Sequence, residues 1–130
     1  MEKVVQLINS ALEKLGVNPA DAKNAEQLQW DIATEKLHIM IDVFQITKDK
    51  IYFQLLSKLI TINNNITIEN LKFFLEENHT LVDMNISKFK DDIYLKSIIN
   101  SKYLDENSII DIILKFSDYG NNIISKFEKI

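Results

Sequence analysis

Two histidines and several acidic side chains are the residues of this 130-residue chain that could hold a metal ion. His38 and His79 could act as ligands, with help from the nearby carboxylates of Asp42, Glu76 and Glu77. Zinc sites, however, need three or four ligands at close and ordered spacing, and these residues form no such motif. We therefore interpret both histidines as surface or edge residues and expect no metal.

Three pairs of adjacent acids fall where turns and helix ends are predicted. General acid–base catalysis would need two carboxylates in different environments of one cleft. The pairs instead stand at the end of a predicted helix, in a predicted hairpin turn and at the start of a predicted helix. They are Glu76 with Glu77, Asp91 with Asp92, and Asp105 with Glu106. We interpret them as solvated caps and turns.

Nucleophilic and phosphate-binding chemistry also lacks its usual signatures. A hydroxyl nucleophile needs a neighbouring base and an oxyanion donor, and no Gly-x-Ser-x-Gly segment surrounds Ser57, Ser87, Ser97 or Thr80. Two glycines are too few for a Gly-rich phosphate loop, and the chain has no cysteine. The sequence therefore predicts a protein that is not an enzyme and needs no cofactor.

Charge and length limit the classes of partner. The net charge is −4 and every basic residue is lysine, so no guanidinium fork is available for phosphate. The lysines are interleaved with acids, whereas nucleic-acid binding needs a basic face. No apolar run approaches the roughly 20 residues that cross a bilayer, and the N-terminus lacks a signal-peptide layout. We expect one cytosolic domain, residues 1–130, with no nucleic-acid or membrane partner.

Apolar residues recur first with a helical period and then with a strand period, in a definite order. Helical spacing predicts helices over residues 2–15, 68–78 and 106–128. Two-residue alternation predicts three successive strands within 28–60 and two more within 82–99. Short polar breaks between the strands favour antiparallel pairing. The order αβββαββα predicts an α+β fold in which a five-stranded antiparallel sheet packs against helices.

Capping residues support these boundaries. Gly16 suits the left-handed position after the first helix, and a polar connector follows over residues 17–26. Thr67 and Asp105 are predicted N-caps of the second and third helices. Gly120 lies inside the last helical pattern and costs it about 1 kcal/mol, so a break there and an uninterrupted helix both remain open.

The second predicted helix and the hairpin after it resemble the corresponding segments of a known protein family. Residues 74–78, with the sequence FLEEN, are similar to the Leu-Leu-x-x-Asn-like helix end of the type III secretion chaperone-like fold, which includes a YbjN-like branch. Residues 88–95 resemble the hairpin of its fourth and fifth strands. The resemblance spans nearly the whole chain and implies a non-enzymatic protein. Because the secretion chaperones are typically small acidic homodimers that hold a client segment, it also implies a protein partner and a homodimer.

A second set of apolar side chains alternates with the best core candidates of the second and third strands. The predicted partner-binding residues in this set are Met40, Phe44, Tyr52, Leu56 and Ile60. If helices cover one face of the sheet only, this set forms an exposed patch that marks an interaction site. If a helix covers this face too, the residues are ordinary core. The long third strand predicts a bulge near Ser57. Side chains around the last strand could instead form a dimer contact, namely Tyr94, Ile98 and Tyr103.

These observations predict a non-catalytic, chaperone-like module that shields or positions a protein client through apolar surface. The acidic balance favours basic clients. Two alternatives remain. One is an immunity protein or a small regulatory or adaptor protein that acts through protein–protein contacts. The other is a small-ligand sensor or an enzyme without a recognisable motif.

Overall fold

Helices and strands follow one another in the order that the periodicity predicts. The computed structural model describes residues 1–24 and 28–130, so the end of the predicted connector, residues 25 and 26, lies outside the described residues. The helices are α1 (Glu2–Lys14), a one-turn α2 (Pro19–Ala22), α3 (Ile68–Thr80) and α4 (Glu106–Phe127). The strands are β1 (Gln29–Ala33), β2 (His38–Thr47), β3 (Lys50–Thr61), β4 (Asn85–Phe89) and β5 (Asp92–Asn100), and β5 is followed by a 3₁₀ turn (Ser101–Tyr103).

The five strands form one sheet in the order β1-β2-β3-β5-β4, and every neighbouring pair is antiparallel. The β4–β5 hairpin turns at Lys90 and Asp91, and Lys90 has a positive φ of 53°. Strand β4 begins at Asn85, so the predicted strand residues Val82 and Met84 lie in the irregular segment before it. The predicted α+β fold with a five-stranded antiparallel sheet is confirmed.

Glycine ends helix α1 as its position predicts. Gly16 has a φ of 82°, a conformation that costs glycine little. The Val17 N–H bonds the Leu12 carbonyl at 2.9 Å, and the Gly16 N–H bonds the Glu13 carbonyl at 3.0 Å. This pair of bonds is a Schellman motif, which satisfies the last carbonyls of the helix.

Both predicted N-caps are confirmed. The Thr67 hydroxyl accepts the Asn70 N–H at 3.1 Å, and the Asp105 carboxylate accepts the Ser108 N–H at 2.7 Å. In each case the third helical residue bonds back to the N–H of the cap residue. These capping boxes satisfy donors that would otherwise lack partners, so they fix where α3 and α4 begin.

Helix α4 runs without a break through Gly120, which settles the alternative that the sequence leaves open. Gly120 is buried, and a Cβ atom there would overlap the side chain of Leu37. The missing side chain therefore lets α4 lie close to the turn between β1 and β2, at some cost in helix propensity.

One face of the sheet carries the core. The buried strand residues alternate, as Ile39, Ile41 and Val43 do in β2. Helices α1, α3 and α4 supply the other half of the same cluster, with Ile8, Leu12, Phe74, Ile109, Ile113, Phe116 and Ile123. The Trp30 indole is fully buried and donates its N–H to the Asn9 side chain at 3.1 Å. None of the described helices is long and apolar enough to cross a membrane.

Candidate binding face of the sheet

Four of the predicted partner-binding residues form two cross-strand pairs on the face opposite the core. Met40 is paired with Leu56, and Phe44 with Tyr52. The Phe44 and Tyr52 rings are stacked, with centroids 5.6 Å apart and planes 21° apart. All four side chains are half-buried and none belongs to the core cluster. In the part of the chain that the structure describes, no helix lies over them, because the helices pack on the other face.

The fifth predicted residue, Ile60, does not share this face, which corrects its placement. The pairing of β3 with β5 shifts between Lys58 and Ile60, so Ile60 lies opposite the buried Ile93 and packs against the core. A bulge was predicted near Ser57, and it occurs just beyond that residue. Because one extra residue reverses the alternation, every side chain after it changes face.

Two of the three residues predicted as a dimer contact lie on the same face as the four. Tyr94 is opposite Lys58, and Ile98, 43% exposed, is opposite Gln54. Tyr103 lies outside the sheet, in the 3₁₀ turn, where it is 72% exposed. Without Ile60 and Tyr103, the remaining residues of the predicted partner-binding and dimer sets share one face of the sheet. We call it the open face and define it by Met40, Phe44, Tyr52, Leu56, Tyr94 and Ile98.

Sequence reasoning missed Phe89 as a further apolar residue on this side. It lies opposite Asp92 at the end of β4 and is 64% exposed. The alternation of β4 contains the signal, because Asn85, Ser87 and Phe89 share a face. The residue stands next to the hairpin turn, where a large apolar side chain is easily taken for part of the turn.

Polar groups divide the open face into apolar patches. Asp42 is paired with Gln54 between the Met40 and Phe44 rows, and burial raises the pKa of its carboxyl above the ordinary value. Near the outer edge, His38 Nε2 lies 3.9 Å from Asp31 Oδ1. Any molecule that covered this face would have to offer a hydrogen-bond donor to the ionised Asp42 carboxylate, because an ionised carboxylate without a partner is costly to bury.

A second polar cluster lies at the β4–β5 hairpin end. The Tyr94 hydroxyl donates to Asp92 Oδ2 at 3.2 Å, and the Thr61 hydroxyl donates to Asp92 Oδ1 at 2.7 Å. Desolvation and then the Asp92 carboxylate raise the pKa of Tyr94. The Asp92 carboxylate thus links Tyr94 of β5 to Thr61 of β3 at the rim of the open face.

The residues first considered for chemistry do not converge. Within residues 1–24 and 28–130, no three His, Cys, Asp or Glu side chains approach closely enough to hold a metal ion. His79 is exposed near the end of α3. Ser57 and Ser97 are buried and donate to the backbone carbonyls of His38 and Asp83 at 2.8 and 2.9 Å. These two hydroxyls are therefore engaged in structural hydrogen bonds.

The segment FLEEN, residues 74–78, connects α3 to the sheet. Phe74 is buried and packs on Phe127 of α4, with ring centroids 5.1 Å apart. The Asn78 side chain accepts the Ile86 N–H at 2.7 Å on the outer side of β4. The segment thus fixes α3 against both α4 and the edge strand.

Comparisons with known proteins agree on the fold. No protein-family model and no curated protein sequence matches the chain. Among solved structures, a chain of the HopA1–SchA chaperone–effector complex matches with a TM-score of 0.66 and 7% identity, over 92% of this chain and 91% of that one. A chain of the Yersinia pestis complex of the type III secretion chaperone SycH with a YscM2 fragment gives 0.64 and 14%, over 92% and 98%. YbjN from E. coli gives 0.66 and 8%, over 95% and 90%.

The architecture places the chain among α+β proteins with one sheet face covered by helices. More narrowly, its fold is that of the type III secretion chaperones and of YbjN, as the resemblance in sequence predicts. At these identities the likeness extends to the fold and not to the activity.

Proposed function

We propose that this chain is a non-catalytic protein-binding module that shields or positions an apolar segment of a client protein on its open face. The observation that carries the proposal is the apolar surface that crosses β2, β3 and β5 with no helix over it among the described residues. Apolar patches that no part of a protein covers commonly mark a site of interaction with another molecule.

The geometry suits a client that packs side chains between those of the sheet. Met40 and Leu56 offer an adaptable aliphatic patch, and the Phe44–Tyr52 stack offers a rigid aromatic one. Burial of apolar area contributes about 25 cal/mol per Å², from which the cost of association is subtracted. Asp42, between the two patches, would select the register in which a client donor meets its carboxylate.

Several structural neighbours support a protein partner. They come from the HopA1–SchA chaperone–effector complex, from the SycH complex and from the ExoU–SpcU heterodimer of a type III secretion system. We therefore propose a chaperone-like role in the cytosol, with a client protein held in a similar complex. The equally similar fold of YbjN favours, as a second candidate, a small regulatory protein that also works through protein contacts.

The first experiment separates binding from folding on the open face. Clients are captured with the tagged protein, identified by mass spectrometry, and titrated against purified variants by calorimetry. The variant Phe44→Asp should keep the wild-type circular dichroism and a cooperative unfolding transition, with only a slightly lower midpoint, because the side chain is outside the core and loses only its stack on Tyr52. It should weaken client binding by about tenfold or more, as the loss of an aromatic anchor does.

Leu75→Asp is the matched control. Leu75 is 70% exposed on α3, away from the sheet, so the same change of an apolar residue to aspartate should leave client binding unchanged. Client binding by Phe44→Asp at wild-type strength would overturn the proposal. So would unfolding of that variant, since the residue would then be needed by the core.

Self-association is proposed separately. The exposed Ile98 and Tyr103 are available for a homodimer contact. Light scattering after size exclusion should give a dimer mass for the wild type and a monomer mass for a variant with Ile98→Asp and Tyr103→Asp. A monomer for the wild type at every concentration would remove the homodimer and leave the client proposal intact.

A further inference from the structure

A groove of about 610 Å³ lies beside strand β5, at the part of β5 that the shorter strand β4 does not cover. Strand β5 runs over Asp92–Asn100, but β4 pairs with it only as far as Asn85, which lies opposite Lys96. Residues 97–100 pair with β3 on one side. On the other side, no described strand pairs with them, and the groove occupies this place beside helix α4.

The floor of the groove is the backbone edge of β5. A two-residue turn closes the hairpin at the pair Phe89 and Asp92, and such a pair exchanges both backbone hydrogen bonds. Since the bonding direction repeats every two residues, Tyr94 and Lys96 also direct their N–H and C=O groups towards β4. The same alternation directs the N–H and C=O of Ile98 into the groove, where an added strand would pair with them.

The side chains around this edge combine apolar walls with acidic rims. Met84, Ile99 and Ile112 line the groove together with Asp83 and Asp111. Farther along α4, a continuing depression is lined by a further acid and an aromatic residue, Asp118 and Tyr119. Lys115 is the one basic residue among these lining side chains, against three acids. All four charged side chains are exposed.

We propose that this groove binds an extended segment of a partner protein that carries basic side chains beside apolar ones. The segment adds a short strand to β5 in place of the missing end of β4. Its amide groups meet those of Ile98, its apolar side chains pack on Met84 and Ile112, and its basic side chains face Asp83 and Asp111. Strand addition supplies affinity through the backbone, and the acidic rim supplies the preference for positive charge.

The proposal rests on the proposed function, because it specifies how part of a client is held. It adds the location, the backbone conformation and the charge of the bound segment. The acidic rim decides the sign of that charge, because like charges placed across an interface are repelled.

The test uses labelled heptapeptides and the full chain, with binding followed by fluorescence anisotropy. One peptide alternates valine and lysine, and a second alternates valine and glutamate. The lysine peptide should bind at least about tenfold more tightly, as complementary charge requires. Two further lysine peptides carry N-methyl groups on one or the other set of alternate amides. One of them should lose binding and the other should retain it, because a strand pairs with an edge through alternate residues.

Protein variants locate the site. Ile98→Pro removes the N–H that faces the groove, whereas Ile98→Ala removes the side chain and keeps the N–H. The proline variant should bind about fivefold more weakly than the alanine variant, as the loss of one hydrogen bond predicts. Asp111→Lys should weaken the lysine peptide, and Asp49→Lys, the same charge change in the β2–β3 turn, should not.

Equal binding of the lysine and glutamate peptides overturns the proposal, as does equal binding by folded Ile98→Pro and Ile98→Ala. If Ile98→Pro does not fold, the two N-methylated peptides provide the test. Equal binding of these two peptides would overturn the proposal. Phe44→Asp separates this site from the open face, because it should keep the heptapeptide while it loses the client. Client binding that depends on Phe44 but ignores every groove variant refutes the groove and leaves the proposed function standing.

Discussion

The two faces of the sheet are built from the same strands and differ in what covers them. On one face, Phe53 and Leu55 are fully buried beneath helices of the same chain. On the other, Tyr52 and Leu56, their immediate neighbours in sequence, are half-buried and lie outside the core cluster. Both pairs are apolar and occupy equivalent strand positions. Apolar alternation therefore identifies two faces, but the helices determine which of them stabilises the fold.

The largest expected contrast comes from the same substitution on each face. Phe53→Ala should lower the free energy of unfolding by about 3–5 kcal/mol, because it leaves a cavity in the core. Phe44→Ala should lower it by about 1 kcal/mol, mainly through loss of the stack on Tyr52. Urea denaturation of both variants gives the comparison. Equal losses would mean that the open face is packed as tightly as the core.

A smaller effect should show how closely helix α4 is seated on the covered side. Gly120→Val should lower the free energy of unfolding by about 1–3 kcal/mol, because its side chain would overlap Leu37. Leu114→Val, at a 48% exposed position of the same helix, should cost less than about 0.7 kcal/mol, since only helix propensity changes. Thermal unfolding can rank the two, and a Gly120→Val variant as stable as the wild type would show a loosely seated helix.

Serine residues on the two faces should differ by about 1 kcal/mol in what their hydroxyls contribute to the free energy of unfolding. Ser57→Ala should cost about 1 kcal/mol, because the buried hydroxyl donates to the His38 carbonyl. Ser87→Ala on the half-exposed side of β4 should stay within about 0.5 kcal/mol of the wild type. Chemical denaturation can resolve this difference. A neutral Ser57→Ala would show that the hydroxyl makes no net contribution.

The smallest effect concerns Asp42 and depends on pH. Burial raises the pKa of Asp42 in the folded state, so the fold favours the protonated carboxyl. The contribution of Asp42 to the free energy of unfolding is therefore fully present at low pH. It is lost as the pH rises through the pKa of Asp42 in the folded state. At pH 7, Asp42→Asn should be slightly more stable than the wild type, and the gap should close in acid. Urea denaturation of both proteins at pH 7 and in acid tests this prediction. A difference in stability that widens in acid would mean that folding lowers the pKa of Asp42 instead of raising it.

Local signals explain why so much of the fold is predictable. Gly16, Thr67 and Asp105 each mark a helix end through a hydrogen bond with a near neighbour in sequence, so the chain encodes them locally. The order of the strands follows from their two-residue period and the short turns between them. These features depend on contacts within a few residues, which a single sequence displays.

The remaining features depend on distant contacts. The bulge that moves Ile60 to the core side is a mismatch between β3 and β5, and neither strand shows it alone. The gap beside Ile98 exists because β4 begins only at Asn85, although Val82 and Met84 continue the alternating apolar pattern before it. The helical cover of one face is likewise a property of packing. The sequence predicts which side chains share a face of the sheet. The packing of the helices determines which of the two faces is buried.

The hydrogen bond from the Ile86 N–H to Asn78 has a consequence for behaviour in a crowded cell. A terminal strand with all of its outward groups free can recruit a like strand from another molecule and start fibrillar stacking. With one of those groups already occupied by a helix of its own chain, and with Lys88 and Lys90 beside the hairpin, the molecule resists such polymerisation. The edge strand β4 thereby offers fewer free backbone groups to a second copy of the chain.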